Sequence, residues 1–572
     1  MRIAVIKENE CEAPDNCNYI CAEVCPVVRR GIKETVYPRE NGKAAITEGL
    51  CIACGICVKR CPFDAIRVIN LPDEMTKELT FQYGLNSFRI FNIATPMRGK
   101  IVGLIGRNGI GKTTNINLIS GEIKPNFGNY SAILQPREII KEFRGKDIQP
   151  YLTDLYSGSL KVVKKPQDFE LTGKVRDLVK KNRFGLVPSQ LMERDAKTLS
   201  GGESQLIRIA VSMDEVADVY IFDEPMNYLD IVHRLLIAKE IRKSLGEKTV
   251  VVVEHDLIML DYLTDFIQIL YGSDANYGIV SHMMPSRNGI NNYISGYLPT
   301  ENVRFRNWAI KVKKSGTAEG KKPLVRWPAF EVDIGEFHLK TEAGVLREGE
   351  IIGIIGENGI GKTTFMQALA GTLTTNLGLL DLGIKIAYKP QMVQRSDCIV
   401  SDAFAAVKAD YSTDTDIMSI ISKLDVNKIL NKNIKNLSGG ELQKIAIIAT
   451  LMKDAEVYLF DEPSANLDIE DRLEIMSIIT AIINSKKKCA IIIDHDLMFL
   501  DSVCTNSILF GGKSGITGIT DRIISTSSAI NDFLKRVDVT MRRDSESGRP
   551  RINLAGSRLD VEQKMQNKFF AD

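Results

Sequence analysis

The sequence predicts an α/β protein in which two copies of one P-loop nucleotide-binding domain follow a small cysteine-rich domain. A glycine-rich string, GRNGIGKTT at 106–114, recurs as GENGIGKTT at 356–364. A second string, LSGGE, occurs at 199–203 and again at 437–441. Eight of the 11 cysteines lie within the first 61 residues. The duplicated strings predict a tandem repeat, and the cysteines predict a metal-binding unit ahead of it.

Length and composition set the broad class. A chain of 572 residues is too long to fold around a single hydrophobic core, and this length predicts roughly three or four domains. The formal net charge of +2 identifies no partner. The start, MRIAVIKENE, lacks the pattern of a signal or transit peptide, so we do not expect export. The most apolar runs, VVVV at 250–253 and CAIII at 489–493, are too short to cross a bilayer, and we expect buried parallel strands there.

The cysteines near the N-terminus predict an α+β ferredoxin-like iron–sulfur domain over residues 1–70. Cys51, Cys54, Cys57 and Cys61, followed by proline, match the CxxCxxCxxxCP spacing of bacterial ferredoxins. A looser set also ends in Cys-Pro and consists of Cys11, Cys17, Cys21 and Cys25. The two sets predict two 4Fe4S clusters.

In bacterial ferredoxins the fourth cysteine of a run reaches the other cluster. This crossover would assign Cys51, Cys54, Cys57 and Cys25 to one cluster, and Cys11, Cys17, Cys21 and Cys61 to the other. Zinc is the alternative metal, although zinc sites usually place two CxxC pairs further apart. We assign no role to Cys398, Cys489 and Cys504, since an isolated cysteine is usually a small buried apolar residue.

Each P-loop string follows an apolar strand pattern, IVGLI or IIGII, as nucleotide binding requires. Glycines let main-chain N–H groups turn toward phosphates, the lysine adds a positive charge, and the following threonine binds magnesium. The predicted ATP-binding residues are Gly106, Asn108, Gly109, Gly111, Lys112, Thr113 and Thr114 in the first copy, and Gly356, Asn358, Gly359, Gly361, Lys362, Thr363 and Thr364 in the second.

Each LSGGE string is followed by a helical pattern and a strand that ends in Asp-Glu-Pro, VYIFDEP or VYLFDEP. Asp223 and Asp461 can hold magnesium, and Glu224 and Glu462 can polarise the attacking water. Two of the five histidines, His255 and His495, follow a further apolar strand at matched positions, in EHD and DHD. Matched positions favour a catalytic role over core packing.

The order of the motifs resembles that of the ABC ATPase family over most of residues 75–540: a P-loop, then LSGGE, then Asp-Glu-Pro, then a histidine. The resemblance implies that the two domains pair head to tail, so that each LSGGE string caps the ATP of the other P-loop. It assigns Ser438, Gly439 and Gly440 to the first P-loop and Ser200, Gly201 and Gly202 to the second. Gln167 and Gln391, each in Lys-Pro-Gln, resemble the family's glutamine loop and would bind magnesium. Tyr83, Phe88 and Phe337 are candidates for adenine stacking or for the core.

The spacing of the repeats predicts an insertion in the first copy. The P-loop lysines are 250 residues apart (362 − 112) and the glutamines 224 (391 − 167), so the first copy has 26 more residues between them. We place the insertion at about 129–160, where PREIIKEFRGKDIQPYL predicts two short helices and a turn at Gly145. It is either a surface hairpin or a docking element with phosphate contacts from Arg137, Lys141, Arg144 and Lys146 beside Phe143 and Tyr151.

Two basic segments, at 299–327 and 541–553, complete a pattern that resembles the ABC-E subfamily, also called the RNase L inhibitor family. The predicted boundaries are 1–70 for the iron–sulfur domain, 71–298 and 328–540 for the ABC domains, 299–327 for a basic hinge, and 541–572 for a C-terminal hinge segment. The residues carried over as hinge or RNA contacts are Arg304, Arg306, Arg542, Arg543, Arg549 and Arg551.

The resemblance implies a cytoplasmic, monomeric ATPase that needs ATP, Mg²⁺ and two 4Fe4S clusters. It would split ribosomes after termination or rescue, bind the small subunit through ribosomal RNA and proteins, act with a release-factor or rescue-factor protein, and contribute to initiation. No membrane is involved. ATP-dependent closure would move the iron–sulfur domain.

Two departures from the family pattern stand out. Five residues separate Cys11 from Cys17 where the family usually has four, and MNYLD (226–230) and SANLD (464–468) vary its usual strings. Both glutamates are intact, so we expect both sites to hydrolyse ATP. The alternatives are a redox-coupled iron–sulfur ATPase, and a clamp that binds small subunits without splitting ribosomes.

Overall fold

The structure is a computed structural model that describes residues 2–7, 10–63, 65–70, 78–131, 133–165, 171–306, 308–309 and 322–571. It contains an N-terminal cysteine domain and two α/β halves with the same sheet topology, as the sequence predicts. Among the helices in these ranges, none is long and apolar enough to cross a membrane.

The cysteine domain is a small α+β unit whose first and last strands pair in antiparallel register. Its strands are Arg2–Ile6, Val36–Pro38, Ala44–Ile46 and Ile66–Asn70, and its helices are Ile20–Glu23, Pro26–Arg29 and Ile56–Arg60. The domain docks on the first half through Asn86, which is fully buried. The Asn86 side chain accepts from Ile46 N–H at 2.8 Å and donates to Ala4 O at 3.3 Å.

The first half has a nine-stranded sheet with the P-loop strand Ile101–Ile105 at its centre, between Thr249–Val253 and Phe266–Ser273. The VVVV run is a buried strand parallel to both neighbours, which confirms the prediction. The other strands are Leu79–Gln82, Arg89–Phe91, Val162–Lys165, Val219–Asp223, Tyr277–Val280 and Met284–Pro285. The helices are Lys112–Ser120, Pro136–Glu142, Gln149–Tyr156, Val175–Leu178, Gly201–Asp214, Ile231–Leu245, Leu257–Leu263 and Ser286–Ser295.

The second half repeats this sheet around Ile351–Ile355, and its CAIII run is again a buried parallel strand. The sheet's other strands are Glu331–Ile334, Phe337–Lys340, Ile386–Lys389, Val457–Asp461, Cys489–Ile493, Asn506–Lys513, Thr517–Thr520 and Ile524–Ser525. Two outer hairpins pair Pro323–Trp327 with Gly344–Arg347 and Thr374–Thr375 with Gly378–Leu379. The helices are Lys362–Leu369, Val400–Val407, Thr415–Lys423, Gly439–Met452, Ile469–Ser485, Leu497–Val503 and Thr526–Arg536.

The central strands of both sheets are apolar along their whole length, as expected for parallel strands that are covered on both faces of a sheet. Each half has its own core on one face of the sheet. On the other face, buried residues of both halves form one continuous cluster. The two halves therefore share apolar packing as well as a cleft.

The segments between and after the halves are more structured than a linker. We predicted a hinge over 299–327, but Pro323–Trp327 is a strand of the second half, and Trp327 is buried, so that boundary was wrong. A hairpin, Tyr297–Leu298 with Val303–Arg304, closes the first half. The C-terminal segment folds into strands Met541–Arg543, Pro550–Ile552 and Phe570–Ala571 with the helix Arg558–Met565.

Candidate functional site

Both P-loops form the turn between the central strand and a helix that begins at the lysine. The residue before each lysine, Gly111 or Gly361, has a left-handed φ of 97° or 89°, which favours glycine. Lys112 Nζ donates to Gly106 O at 2.8 Å, and Lys362 Nζ donates to Gly356 O at the same distance. Each lysine thus lies along its own loop, beside N–H groups at a helix N-terminus, an arrangement suited to phosphate.

The strand-end carboxylates meet the histidines in both halves. Strand Val219–Asp223 pairs with Thr249–Val253 so that Asp223 lies opposite Val253, close to His255. The carboxylate oxygen Glu224 Oε1 lies 3.3 Å from His255 Nε2, and Glu462 Oε1 lies 3.2 Å from His495 Nε2. Asn227 Nδ2 donates to the other oxygen of Glu224 at 2.5 Å.

The electrostatics keep both glutamates ionised. Burial alone would raise the pKa of Glu224 and Glu462, but hydrogen bonding to the histidines and the charge of the P-loop lysines hold both below their usual range. Burial lowers the pKa of His255, so this imidazole is neutral near pH 7. An ionised carboxylate beside a neutral imidazole can accept a proton from water.

Magnesium fits the donor set beside each P-loop. Thr363 Oγ1 donates to Asp461 Oδ2 at 2.7 Å, whereas Asp461 Oδ1 is buried and accepts no hydrogen bond from the described residues. Burial and the adjacent glutamate raise the pKa of Asp223 and Asp461 to about 6, a change that a bound cation would reverse. Gln391 Nε2 donates to Glu462 Oε1 at 2.8 Å, and Gln167 lies outside the described residues.

The two halves pair head to tail across one continuous cleft. Asn108 N–H of the first P-loop donates to Asp468 Oδ2 of the second half at 3.0 Å, and Asn358 N–H donates to Asp230 Oδ2 of the first half at 2.9 Å. The cleft is lined by both P-loops and by the first turns of helices Gly201–Asp214 and Gly439–Met452. Each P-loop therefore faces residues of the opposite half.

Most predicted site residues line this cleft. They are Asn108, Gly109, Gly111, Lys112, Thr113, Thr114, Ser200, Gly201, Gly202, Asp223, Glu224, His255, Asn358, Gly359, Gly361, Lys362, Thr363, Thr364, Gln391, Ser438, Gly439, Gly440, Asp461 and Glu462. Gly106 and Gly356 are buried beneath the loops, and His495 reaches the cleft through Glu462. The aromatic candidates Tyr83, Phe88 and Phe337 line it as well.

Sequence reasoning missed the residues that join the halves. Asp230 and Asp468 end the MNYLD and SANLD strings, so their matched positions were an available signal. Arg107, inside the first P-loop, forms an ion pair with Glu470 of the second half, with 3.5 Å between Nε and Oε2. Glu470 also pairs with Arg306, with 3.0 Å between Oε1 and Nη1. Glu357 holds the position of Arg107 in the second copy. The two sites therefore differ in charge at their rims.

The cysteines surround two cavities in the same two sets that the crossover predicts. One cavity is lined by Cys11, Cys17, Cys21 and Cys61, and the other by Cys25, Cys51, Cys54 and Cys57. In the described part of the chain, no three Cys, His, Asp or Glu side chains converge on a point suited to a single metal ion. Four thiols around a cavity fit a multi-iron cluster better than one zinc ion.

The donor chemistry also fits a metal cluster. Burial raises the pKa of Cys21 to about 12 and that of Cys57 to about 11. Thiols in such surroundings become thiolates only with a strong compensating positive charge, which bound iron supplies.

The basic insertion exposes its charged side chains and packs its aromatic side chains against its own domain. Arg137, Lys141, Arg144 and Lys146 are exposed on and between helices Pro136–Glu142 and Gln149–Tyr156. Phe143, however, is buried, and Tyr151 donates its hydroxyl to Ile119 O at 2.7 Å. The two aromatics anchor the insertion to its own domain, while the four basic side chains remain open to solvent, so the surface hairpin and the docking element both stay predictions.

Five of the six arginines predicted as hinge or RNA contacts make polar contacts inside the protein. Arg549 is fully buried, and together with Arg551 it binds Asp261 of the first half. Arg543 binds Asp501, Arg542 donates to Asn553, and Arg306 is held by Glu470. These contacts fit the hinge role rather than RNA contact. Arg304 is exposed, with its guanidinium 5.5 Å from the Tyr297 ring centroid.

We expect Arg549→Met to lower the free energy of unfolding by about 1–3 kcal/mol, because it removes a buried charge-assisted hydrogen bond to Asp261 while Arg551 still pairs with that carboxylate. Thermal unfolding measures the change. Arg304→Met, the same substitution at the exposed hinge arginine, is the control and leaves the midpoint nearly unchanged. Equal midpoints for the two variants would contradict a structural role for the contact with Asp261.

The fold and the paired sites define a tandem ABC ATPase with an N-terminal iron–sulfur domain. Family models agree: the ABC transporter model matches residues 94–227 and 340–465, and a 4Fe-4S binding domain matches 44–67. A possible Fer4-like domain in RNase L inhibitor matches residues 1–33.

Relatives match over the whole chain. Translation initiation factor RLI1 of Chaetomium thermophilum is 39% identical, with 100% of this chain and 97% of the relative covered. ABC transporter E family member 1 of Arabidopsis thaliana is 37% identical, with 100% and 98% covered. Among solved structures, a model of ribosome-bound archaeal Pelota and ABCE1 matches with a TM-score of 0.92 at 38% identity, covering 100% of this chain and 99% of the other.

The chain belongs to the ABC-E family, the family of RNase L inhibitor, as the sequence resemblance predicted. It is an ATP-hydrolysing enzyme with ATP-binding ABC domains and an iron–sulfur domain.

Proposed function

We propose that this ATPase is a ribosome recycling factor that splits ribosomes into subunits and then binds the small subunit. The observation that carries the proposal is the reciprocal contact of each P-loop with an aspartate of the other half, in a chain whose iron–sulfur domain docks beside the first site. The related archaeal recycling factor aABCE1 has been solved with the ribosomal stalk protein aP1, at 36% identity and a TM-score of 0.82, with 87% of this chain and 100% of that chain covered.

Each site would use residues of both halves. Lys112 and the P-loop N–H groups bind the β- and γ-phosphates, and Asp468 fixes the loop from the opposite side. Ser438 begins helix Gly439–Met452, whose N-terminal dipole favours the γ-phosphate. Mg²⁺, which neutralises phosphate charge when bound, would be held in each site by three side chains. They are Thr113, Gln167 and Asp223 in the first site, and Thr363, Gln391 and Asp461 in the second. ATP would thereby hold the cleft closed.

Hydrolysis would then reopen it. Glu224 or Glu462 orients and deprotonates water, and the neighbouring histidine holds that carboxylate in place. Loss of the γ-phosphate removes the charge that the opposite helix N-terminus attracts. The two halves can then separate on the hinge held by Arg306 and Arg549.

The first site can act on the iron–sulfur domain through one short loop. Tyr83 hydroxyl lies 3.1 Å from Thr114 Oγ1 at the P-loop, and Asn86, three residues on, bonds to the cysteine domain. Closure at the first site would therefore shift the two 4Fe4S clusters with their domain. We propose that this movement pushes on a release-factor or rescue-factor protein between the ribosomal subunits, in the cytoplasm.

Sedimentation with separated ribosomal subunits tests the proposal. Anaerobically prepared protein should pellet with small subunits when a non-hydrolysable ATP analogue is present, and much less without it. The matched control is Lys112→Met/Lys362→Met, which should not respond to the analogue. Absence of nucleotide-dependent binding, with clusters intact by absorbance, would overturn the ribosomal assignment and favour the redox-coupled ATPase. Binding without subunit splitting would favour the clamp.

A further inference from the structure

Each half buries one lysine behind its strand-end carboxylates. Lys165 and Lys389 end the strands Val162–Lys165 and Ile386–Lys389, and both side chains have no solvent exposure. Neither residue belongs to the P-loop, the LSGGE string or the hinge. Burying an ammonium group costs free energy that an apolar side chain of the same length would not.

Both ammonium groups are aimed at the same pair of main-chain carbonyls. Lys165 Nζ donates to Asp223 O at 2.9 Å and reaches Glu224 O at 3.5 Å. Lys389 Nζ donates to Asp461 O at 2.7 Å and Glu462 O at 3.2 Å. The contact joins the strand before the glutamine loop to the turn that carries the proposed water-activating glutamate.

That turn has a conformation which needs support. Glu224 and Glu462 have φ values of 47° and 48°, in the left-handed region that side chains other than glycine rarely adopt. A glutamine from each LSGGE helix also holds the turn: Gln205 Nε2 donates to Glu224 O at 2.9 Å, and Gln443 Nε2 donates to Glu462 O at 2.5 Å. The lysine and the glutamine converge on one carbonyl, which fixes where the carboxylate points.

We propose that Lys165 and Lys389 are positioning residues for ATP hydrolysis, each holding the glutamate of its own half toward the γ-phosphate and water. The proposal rests on the proposed catalytic role of Glu224 and Glu462. In the second half the same segment contributes twice, because Gln391, two residues beyond the strand end at Lys389, binds the carboxylate of Glu462. A shift of the glutamine loop would therefore move both ends of the glutamate.

The test is steady-state ATP hydrolysis by the full chain at saturating ATP and Mg²⁺. We expect Lys165→Met/Lys389→Met to lower kcat about 10-fold or more, with less than about a threefold change in KM for ATP, because the P-loops are untouched. Lys164→Met changes the neighbouring lysine, which binds Glu122 instead, and should keep the wild-type kcat. An unchanged kcat in the double variant would overturn the proposal.

The single variants Lys165→Met and Lys389→Met keep the proposal testable even if the double variant folds poorly. Each should lower kcat with KM for ATP nearly unchanged, because each lysine holds only the glutamate of its own half. A wild-type kcat in both single variants would overturn the proposal. Loss of activity in Glu224→Gln/Glu462→Gln, with full activity in the lysine variant, would refute this inference alone. Full activity in the glutamate variant would refute the proposed function.

Discussion

Glu224→Gln/Glu462→Gln should lower steady-state ATP hydrolysis by about 100-fold or more, because loss of a general base typically costs at least that factor. The amide keeps the size of each side chain and the contact distance to His255 or His495, but it cannot take a proton from water. ATP binding should persist, since the P-loop lysines, threonines and glycines are unchanged. Phosphate release at saturating ATP measures the loss, and filter binding of labelled ATP measures retention.

The matched control is Glu142→Gln/Glu247→Gln, the same change at two exposed glutamates outside the cleft. It should hydrolyse ATP at the wild-type rate. The single variants Glu224→Gln and Glu462→Gln divide the turnover between the two sites. If the catalytic double variant keeps more than a tenth of the wild-type rate, the strand-end glutamates do not activate water.

The parts of the molecule that sequence could predict are those encoded by short local patterns. A P-loop needs glycines at left-handed φ beside one lysine, and both conditions fall within nine consecutive residues. VVVV and CAIII are apolar on both faces, a pattern typical of a central parallel strand. The cysteine spacing likewise predicted two groups of thiols, because three thiols of each run stay together and the fourth crosses to the other group.

Contacts between distant segments could not be predicted in this way. Asn108 and Asp468 lie 360 residues apart, and Arg549 and Asp261 lie 288 apart. Nothing in the basic segment at 541–553 indicates that Arg549 and Arg551 face a carboxylate of the first half rather than solvent. The burial of Phe143 could not be predicted either, because its neighbours in the sequence are charged and exposed while its own ring packs in the core. Tertiary placement decides each of these contacts.

The difference between the two rims bears on how the sites cooperate. Arg107 links the first P-loop to Glu470, and Glu470 in turn holds the hinge residue Arg306. In the second copy Glu357 replaces Arg107, and the matching helix instead carries His233, which is bound to Asp230 at 2.8 Å. The first P-loop is therefore joined to Arg306, in the segment between the halves, by a chain of ion pairs.

The cysteine domain should lose about four of about eight iron atoms when Cys25→Ser and Cys57→Ser are combined, because both thiols line the same cavity. Cys21→Ser/Cys25→Ser should lose iron from both clusters, because these two thiols line different cavities. The opposite result is expected if each cysteine run holds its own cluster, since Cys21 and Cys25 would then share one. Iron per chain and visible absorbance of anaerobic protein measure the loss. Cys398→Ser, outside the domain, is the control and should keep all the iron; equal iron loss in the two double variants would contradict the crossover.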